Sequence, residues 1–467
     1  MALIVVSNRV TVGGPGEAAG GLAVALSDAL KRQGGTWIGW SGETSPEPGN
    51  EIRMLSWQGV SYGLIDLTEQ DYDEYYTGFA NRTLWPLMHY RLGLTEFSPG
   101  DFAGYKRVNA AFARRLLEMA APGDLIWVHD YHLMPLAYEM TLAGVTNRMG
   151  YFHHIPWPPP EVFSILPAAR ELLRAMMDYD VVGLQTETDR DHFCQCLVRE
   201  LGAEDLGGYR YEAAGNVVEV LALPIGIDVA SFARAAEQAA GDQTVMETVA
   251  SIGERDLIIG VDRLDYSKGV AQRMEAYAQF LADNPHRLTS VEYLQITPLS
   301  RSNIPEYEQI NQQVAETAGR INGASGEPSW TPIRYLNKSY PREVLAGLYR
   351  AASVGLVTPM RDGMNLVAKE FVAAQDPDDP GVLVLSRFAG AARQLHGALI
   401  VNPYDRAGMA RAIETGLSME RGERIRRWER MIEVTARRDV NWWVGAFFER
   451  LQGEAVAAPA APGPLIA

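Results

Sequence analysis

The stretch ASVGLVTPM, Ala352–Met360, runs without a break into RDGMNLVAKEF, Arg361–Phe371. Valine-rich VGLV with small flanks predicts a short buried strand, and LVAKEFVAAQ predicts a helix. Arg361, Asp362, Gly363 and Asn365 therefore fall at a strand-to-helix turn, with Lys369 and Glu370 one turn into the helix. In a parallel α/β sheet, ligands bind at such turns, outside the carboxyl ends of the strands. Taken alone, the pattern suits a surface loop with a good helix start equally well. How often it recurs decides the matter.

It recurs along the whole chain. Short apolar runs alternate with helical stretches: ALIVVS, TWIGW, DLIWVH, MGYFHH, DVVGLQT and VVEVLALP, then DLIIGV, VEYLQIT, PIRYL, SVGLV, GVLVLS and ALIVNP. Runs of this length, rich in Val, Ile and Leu and closed by turn residues, mark parallel strands covered on both faces by crossover helices. Between DLIIGV and VEYLQIT, the residues Met274, Tyr277, Phe280 and Leu281 keep helical spacing. At 467 residues the chain is long enough for two large domains. The expected architecture is α/β, with two doubly wound Rossmann-like domains facing each other across a deep cleft. The break is expected near PIGIDVASF, Pro224–Phe232, giving domains over 1–226 and 227–451, the last helix returning to the first domain. The Ala/Pro-rich residues 452–467 read as a disordered tail.

Composition excludes several function classes. A net charge of −16 disfavours nucleic acid or an anionic membrane as main partner. No stretch approaches the roughly 18 apolar residues of a membrane span, and the N-terminal MALIVVSNRV lacks the basic lead of a signal peptide. Cys194 and Cys196, two apart on a helix, point to different sides and read as buried thiols of a cytoplasmic protein. Only five of 42 basic residues are lysine, so Lys268 and Lys369, each near a polar turn, stand out.

The polar residues behind each strand narrow the chemistry. Arg9 and a loop ending at Gly20 and Gly21 come after the first run, and TWIGW ends at Trp40. His129, Asp130 and His132 come after DLIWV, and His153 and His154 after GYF. Arg263, Asp265 and Lys268 come after LIIGV, and Arg301 after YLQIT. Arg263 and Lys268 straddle a turn and can supply two cations to one anion. A helix opening at Asn365 offers free backbone N–H groups that suit phosphate, and Glu370 suits the paired hydroxyls of a ribose. Gly20 and Gly21 let backbone approach the same ligand closely. These parts read as a nucleotide diphosphate site in the second domain. Arg9 and Arg301 form a separate cationic pair for a second phosphate. Tyr72, Tyr75, Tyr76 and Phe79 have the spacing of a core stripe, yet Tyr76 and Trp85 beside Arg82 can equally wall a sugar.

Rival readings fare worse. GPGEAAG is a degenerate dinucleotide fingerprint on too long a loop. The Asp178-x-Asp180 pair precedes its strand, on the wrong side for a metal-dependent transferase, and no lysine-bearing Walker loop is present. His129, His132, His153 and His154 could bind a metal, but neighbouring strand residues point to opposite faces.

SNRV, WPLMHY, WVHDYHLMPL, FHHIPWP, DRLDYSKG, LSRSNIPEY, TPMRDGMNLVAKEF and GVLVLSRFAGAA together resemble the trehalose-6-phosphate synthases, from about Ser7 to Trp442. The resemblance implies a retaining GT-B glucosyltransferase that joins glucose from a nucleotide sugar, usually UDP-glucose, to glucose 6-phosphate without metal or cofactor. It implies that Arg263 and Lys268 hold the donor diphosphate and Glu370 the ribose. Gly20, Gly21, Gly363, Met364, Asn365, Leu366 and Val367 complete the donor site, with Asp362 on the sugar hydroxyls. The acceptor falls to Arg9, Trp40, Tyr76, Trp85, Asp130 and Arg301, and His154 sits beside the donor sugar. Tyr340 stands where the family typically carries Phe, at the position of a base-edge contact. The expected assembly is a homo-oligomer, dimer or tetramer. The donor base, UDP, ADP or GDP, stays open. So do a related transferase with another acceptor, such as glycerol 3-phosphate, and a catalytically silent sugar-phosphate sensor.

Overall fold

The computed structural model describes residues 2–10, 12, 26, 30, 34–47, 52–299 and 305–453. All twelve predicted runs form strands. The first sheet holds the six from the first half of the chain and four further strands: β1 (Leu3–Arg9), β2 (Thr36–Ser45), β3 (Arg53–Trp57), β4 (Val60–Thr68), β5 (Leu125–His129), β6 (Met149–Phe152), β7 (Val181–Leu184), β8 (Glu204–Asp205), β9 (Arg210–Ala213) and β10 (Asn216–Ala222). The second sheet holds β11 (Asp256–Val261), β12 (Val291–Ile296), β13 (Ile333–Leu336), β14 (Val354–Val357), β15 (Val382–Ser386) and β16 (Leu399–Val401). Strands such as β5 and β12 are buried along their entire length, as parallel strands covered on both faces must be.

The second sheet has the order β13-β12-β11-β14-β15-β16, parallel throughout. This is the doubly wound order, with its reversal between β11 and β14. The first sheet repeats it as β4-β2-β1-β5-β6-β7, reversing between β1 and β5, and β10 continues the sheet in parallel. Two antiparallel additions cap its edges: β3 on β4, and β9 with β8 beyond β10. The expected two-unit α/β fold is the observed one.

The aromatic stripe at Tyr72–Phe79 is helical, but the segment Tyr72–Leu84 is a π-helix. The helix Val440–Gln452 lies on the first sheet, where Phe447 stacks on Trp127 at 4.6 Å and Trp443 packs at 5.0 Å. One buried cluster runs from Val5 and Trp127 through Trp443 to Ile259 and Leu383, so the two sheets share a core. The chain passes between them near Gly226 and again near Asp439. The crossings touch backbone to backbone: a Cβ on Gly226 would lie 2.4 Å from the Arg438 carbonyl oxygen. Of the predicted tail, Gln452 ends the last helix, and residues 454–467 lie outside the described residues.

Candidate active site

Both reversal points end in the polar turns that the sequence singles out. At β1 and β5 these carry Arg9 and Asp130; at β11 and β14 they carry Arg263, Lys268 and Asp362. The turns meet. A Cβ on Gly363 would lie 2.1 Å from the His154 carbonyl oxygen, so only glycine lets the turn after β14 press on the segment after β6. The Trp85 indole N–H donates to Asp265 at 3.4 Å, and the Tyr307 hydroxyl donates to the same carboxylate at 2.8 Å.

On the second sheet, Arg263 is exposed, whereas Lys268 forms an ion pair with Asp362. Asp362 also accepts from the Asn365 side-chain amide at 3.1 Å. Asn365 itself takes φ 72°, and its Oδ1 caps the helix Leu366–Ala374 by accepting from the Ala368 N–H at 3.3 Å. The first-turn N–H groups of Leu366 and Val367 precede any intrahelical acceptor. Beneath the turn, the buried Arg273 guanidinium pairs with Asp262 at 2.5 Å, donates to Thr358 at 2.9 Å and reaches the Lys268 carbonyl at 3.3 Å. That network ties the ends of β11 and β14 to the turn bearing Lys268, and nothing in the sequence pattern singles it out. Met364 is buried, its carbonyl accepting from the Ala391 N–H at 2.8 Å, and Tyr340 packs partly buried against the shared core.

Lys369 departs from the polar cluster with which the sequence grouped it. It is 1% exposed, and its Nζ donates at 2.6 Å to the carbonyl of Ile225 at the crossing between the sheets. Burial, assisted by Arg438, lowers its pKa to about 7.

On the first sheet, Asp130 takes φ 75°, a strained value for a residue with a Cβ, and accepts from the His154 backbone N–H at 3.2 Å. His129 Nδ1 lies 3.1 Å from His154 Nε2, and Gln185 Nε2 lies 3.4 Å from His154 Nδ1, so both ring nitrogens of His154 are engaged. The neighbouring histidines do point apart: His153 turns to the Tyr151 hydroxyl at 3.0 Å and packs on Trp157. Burial pushes His129 and His153 down to about 3 and lowers His154 as well, the latter helped by the two neighbouring rings. All three are thus neutral at physiological pH. Among the described residues no group of three or more His, Cys, Asp or Glu side chains is placed to hold a metal. Cys194 and Cys196 are buried free thiols, as expected.

Arg9 is exposed and lies over the Trp40 ring at 5.7 Å. The two residues line a cavity of about 480 Å³ with Gly42, Thr44, Glu69, Tyr72 and Asp73. Tyr76 packs against Trp40 at 5.7 Å and stacks on His132 at 5.8 Å. Trp85 is 4% exposed, and its ring lies within 4.3 Å of His89 and 5.6 Å of Tyr131. Through its hydrogen bond to Asp265 it also joins the turns of the two sheets. Gly20, Gly21 and Arg301 lie outside the described residues.

Burial raises the Glu370 carboxyl to about 7, against an opposing pull from Arg342. Because the folded value exceeds the unfolded one, the acid contributes stability that is full below about pH 4.5 and is lost as pH rises through about 7. The stability difference between Glu370→Gln and the parent, from urea unfolding, is expected to shift by about 3 kcal/mol in favour of the variant across that window. A difference that stays flat with pH would contradict the buried-acid assignment.

The family model for Glycosyltransferase family 20 matches residues 15–453. The chain is 53% identical over 456 residues to a trehalose-6-phosphate synthase of Sinorhizobium fredii, covering 96% of this chain and 98% of that one. It matches the crystal structure of an alpha,alpha-trehalose-phosphate synthase (UDP-forming) from Burkholderia xenovorans in complex with glucose-6-phosphate, with TM-score 0.94, 45% identity, and 97% of this chain and 100% of that one covered. A trehalose-6-phosphate protein from E. coli bound with UDP-2-fluoro glucose matches with TM-score 0.93 and 44% identity, over 97% of this chain and 100% of that one. With two doubly wound units meeting at their reversal points and a family match over nearly all its length, the chain belongs to glycosyltransferase family 20.

Proposed function

We propose that the chain is a retaining glucosyltransferase that moves glucose from a nucleotide sugar, UDP-glucose, to glucose 6-phosphate, giving alpha,alpha-trehalose 6-phosphate. The observation that carries this reading is the contact of Gly363 with the His154 carbonyl, which brings the Lys268–Asp362 turn against the Asp130–His154 turn. Relatives sharing the fold at 44–45% identity bind glucose-6-phosphate and UDP-2-fluoro glucose.

Residues 1–226 form the acceptor domain and 227–451 the donor domain, with the last helix returning to the first of them. Arg263 and Lys268 receive the charge that builds on the departing diphosphate, aided by the helix start at Asn365 with the amides of Leu366 and Val367. Gly20, Gly21, Gly363 and Met364 let backbone close on the donor. Asp362 takes the sugar hydroxyls, Glu370 the ribose, and Tyr340 packs near the base. Arg9 and Arg301 hold the acceptor phosphate, with Trp40, Tyr76 and Trp85 as apolar walls and Asp130 on the acceptor hydroxyls. Neutral His154, fixed through both ring nitrogens, packs beside the transferred sugar. The acceptor hydroxyl attacks on the face that the diphosphate vacates, which retains the anomeric configuration, and a diphosphate oxygen takes its proton. Fixed cations carry this charge, so no metal or cofactor is required. The enzyme works in the cytoplasm as a homo-oligomer, dimer or tetramer.

The test is an activity matrix of UDP-, ADP- and GDP-glucose against glucose 6-phosphate, glucose and glycerol 3-phosphate, with EDTA throughout. Turnover is expected with glucose 6-phosphate and to survive chelation. No turnover with any pair would favour the sensor, and glycerol 3-phosphate as the preferred acceptor would favour the related transferase. Activity restored only by a divalent ion would overturn the electrostatic role of Arg263 and Lys268.

A further inference from the structure

Gln185 directly follows β7, is 1% exposed, and lies between His154 and the crossing of the two sheets. Its Oε1 accepts from the Ile225 backbone N–H at 3.0 Å. A backbone N–H can only donate, so this bond settles which end of the amide is oxygen. The other end, Nε2, can only donate, and it lies 3.4 Å from His154 Nδ1. Nδ1 is therefore the bare nitrogen of His154, and in the neutral ring the proton sits on Nε2. Nε2 is 3.1 Å from His129 Nδ1, which must then accept. The chain ends at His129 Nε2, which carries the last proton and has no hydrogen-bond partner among the described residues. The rings of Trp127 and Trp443 lie 4.6 and 6.2 Å from that imidazole. Aromatic faces accept an N–H weakly, whereas they repel a lone pair. One backbone N–H at the crossing thus sets where two imidazoles hold their protons.

We propose that Gln185 is a positioning residue: it holds His154 in the tautomer with the proton on Nε2, so that the ring stands beside the transferred sugar as a neutral, fixed surface and takes no part in proton transfer. The inference rests on the functional reading above. An imidazolium at this place would oppose the positive charge that the sugar ring gains as the diphosphate departs. A ring free to turn over could offer either nitrogen to water or to the attacking hydroxyl. With both nitrogens engaged, the hydroxyl proton goes to the diphosphate oxygen alone.

Gln185→Glu isolates the point, because a carboxylate still accepts from Ile225 but no longer donates to His154. With 15N-labelled histidine, nitrogen NMR distinguishes the two neutral tautomers by which ring nitrogen carries the proton. The signals of His154 are those that vanish in His154→Ala. At alkaline pH the parent is expected to carry the His154 proton on Nε2 and Gln185→Glu to carry it on Nδ1. Gln185→Met, which brings no charge into the site, should show both tautomers. In either variant kcat with UDP-glucose and glucose 6-phosphate is expected to fall about tenfold with little change in KM. Added to His154→Ala, the same substitutions should cost nothing further. An equal loss in that background would mean that Gln185 only braces the crossing, and would overturn the proposal. A His154 protonated on Nδ1 in the parent, or a tautomer unchanged in both variants, would overturn it too. A parent with the expected tautomer but no glucosyl transfer would overturn the functional reading instead, and with it the kinetic half of the proposal.

Discussion

Lys268→Ala is expected to lower kcat by about 10²–10³-fold, about 3–4 kcal/mol, at saturating substrates. Two losses combine in that figure. The variant removes a fixed positive charge from the place where the leaving diphosphate gains charge. It also strands Asp362, which keeps only the Asn365 amide as a described partner at 3.1 Å, and so leaves a negative charge where the reaction builds more of it. Arg263→Ala should cost a comparable factor through the first loss alone, since Arg263 is exposed and has no acid attached to it among the described residues. If both cations act on one diphosphate, the double variant will cost less than the sum. Rapid-quench rates with UDP-glucose and glucose 6-phosphate check the point. A normal kcat with only a raised donor KM would mean that the two cations bind the donor without assisting its departure.

Much of this site was legible in the sequence because its parts sit at places that topology dictates. Apolar runs such as VGLV and LIIGV locate the strands, and the polar residues behind them necessarily gather at one edge of each parallel sheet. Elements that do not obey that logic were missed. The strand Arg53–Trp57 is exposed along its whole length and pairs antiparallel at the sheet edge, so it carries no run of buried residues to announce it. The π-helical backbone of Tyr72–Leu84 shares its apolar spacing with an ordinary helix over so short a stretch. Lys369 lies three residues beyond the start of its helix, which the sequence shows, but whether it faces the ligand or the Ile225 carbonyl depends on the path of a segment 144 residues away. The Lys268–Asp362 pair likewise joins residues 94 apart, and the Tyr90–Arg361 contact joins the turns of different sheets. Such pairings arise only from packing.

Arg9→Ala is expected to lower kcat/KM for glucose 6-phosphate on the order of 10²-fold, about 3 kcal/mol, with the donor affinity of the free enzyme nearly unchanged. Arg9 emerges at the end of β1, beside the reversal point of the first sheet, over the Trp40 ring and at the edge of a cavity of about 480 Å³. A phosphate held there aligns the attacking hydroxyl as well as adding affinity, so its loss should appear in both kcat and KM. Arg301 should act on the same phosphate from the other domain, and its removal should show the same pattern. Unphosphorylated glucose offers neither arginine anything to hold. The decisive measurement is therefore kcat/KM for glucose 6-phosphate and for glucose, each in the parent enzyme and in Arg9→Ala. The expected result is a strong preference for glucose 6-phosphate in the parent that narrows by about two orders of magnitude in the variant, with the glucose reaction unaffected. An equal penalty on both acceptors would show that Arg9 does not read the phosphate, and would contradict the assignment of this cleft to a phosphorylated sugar.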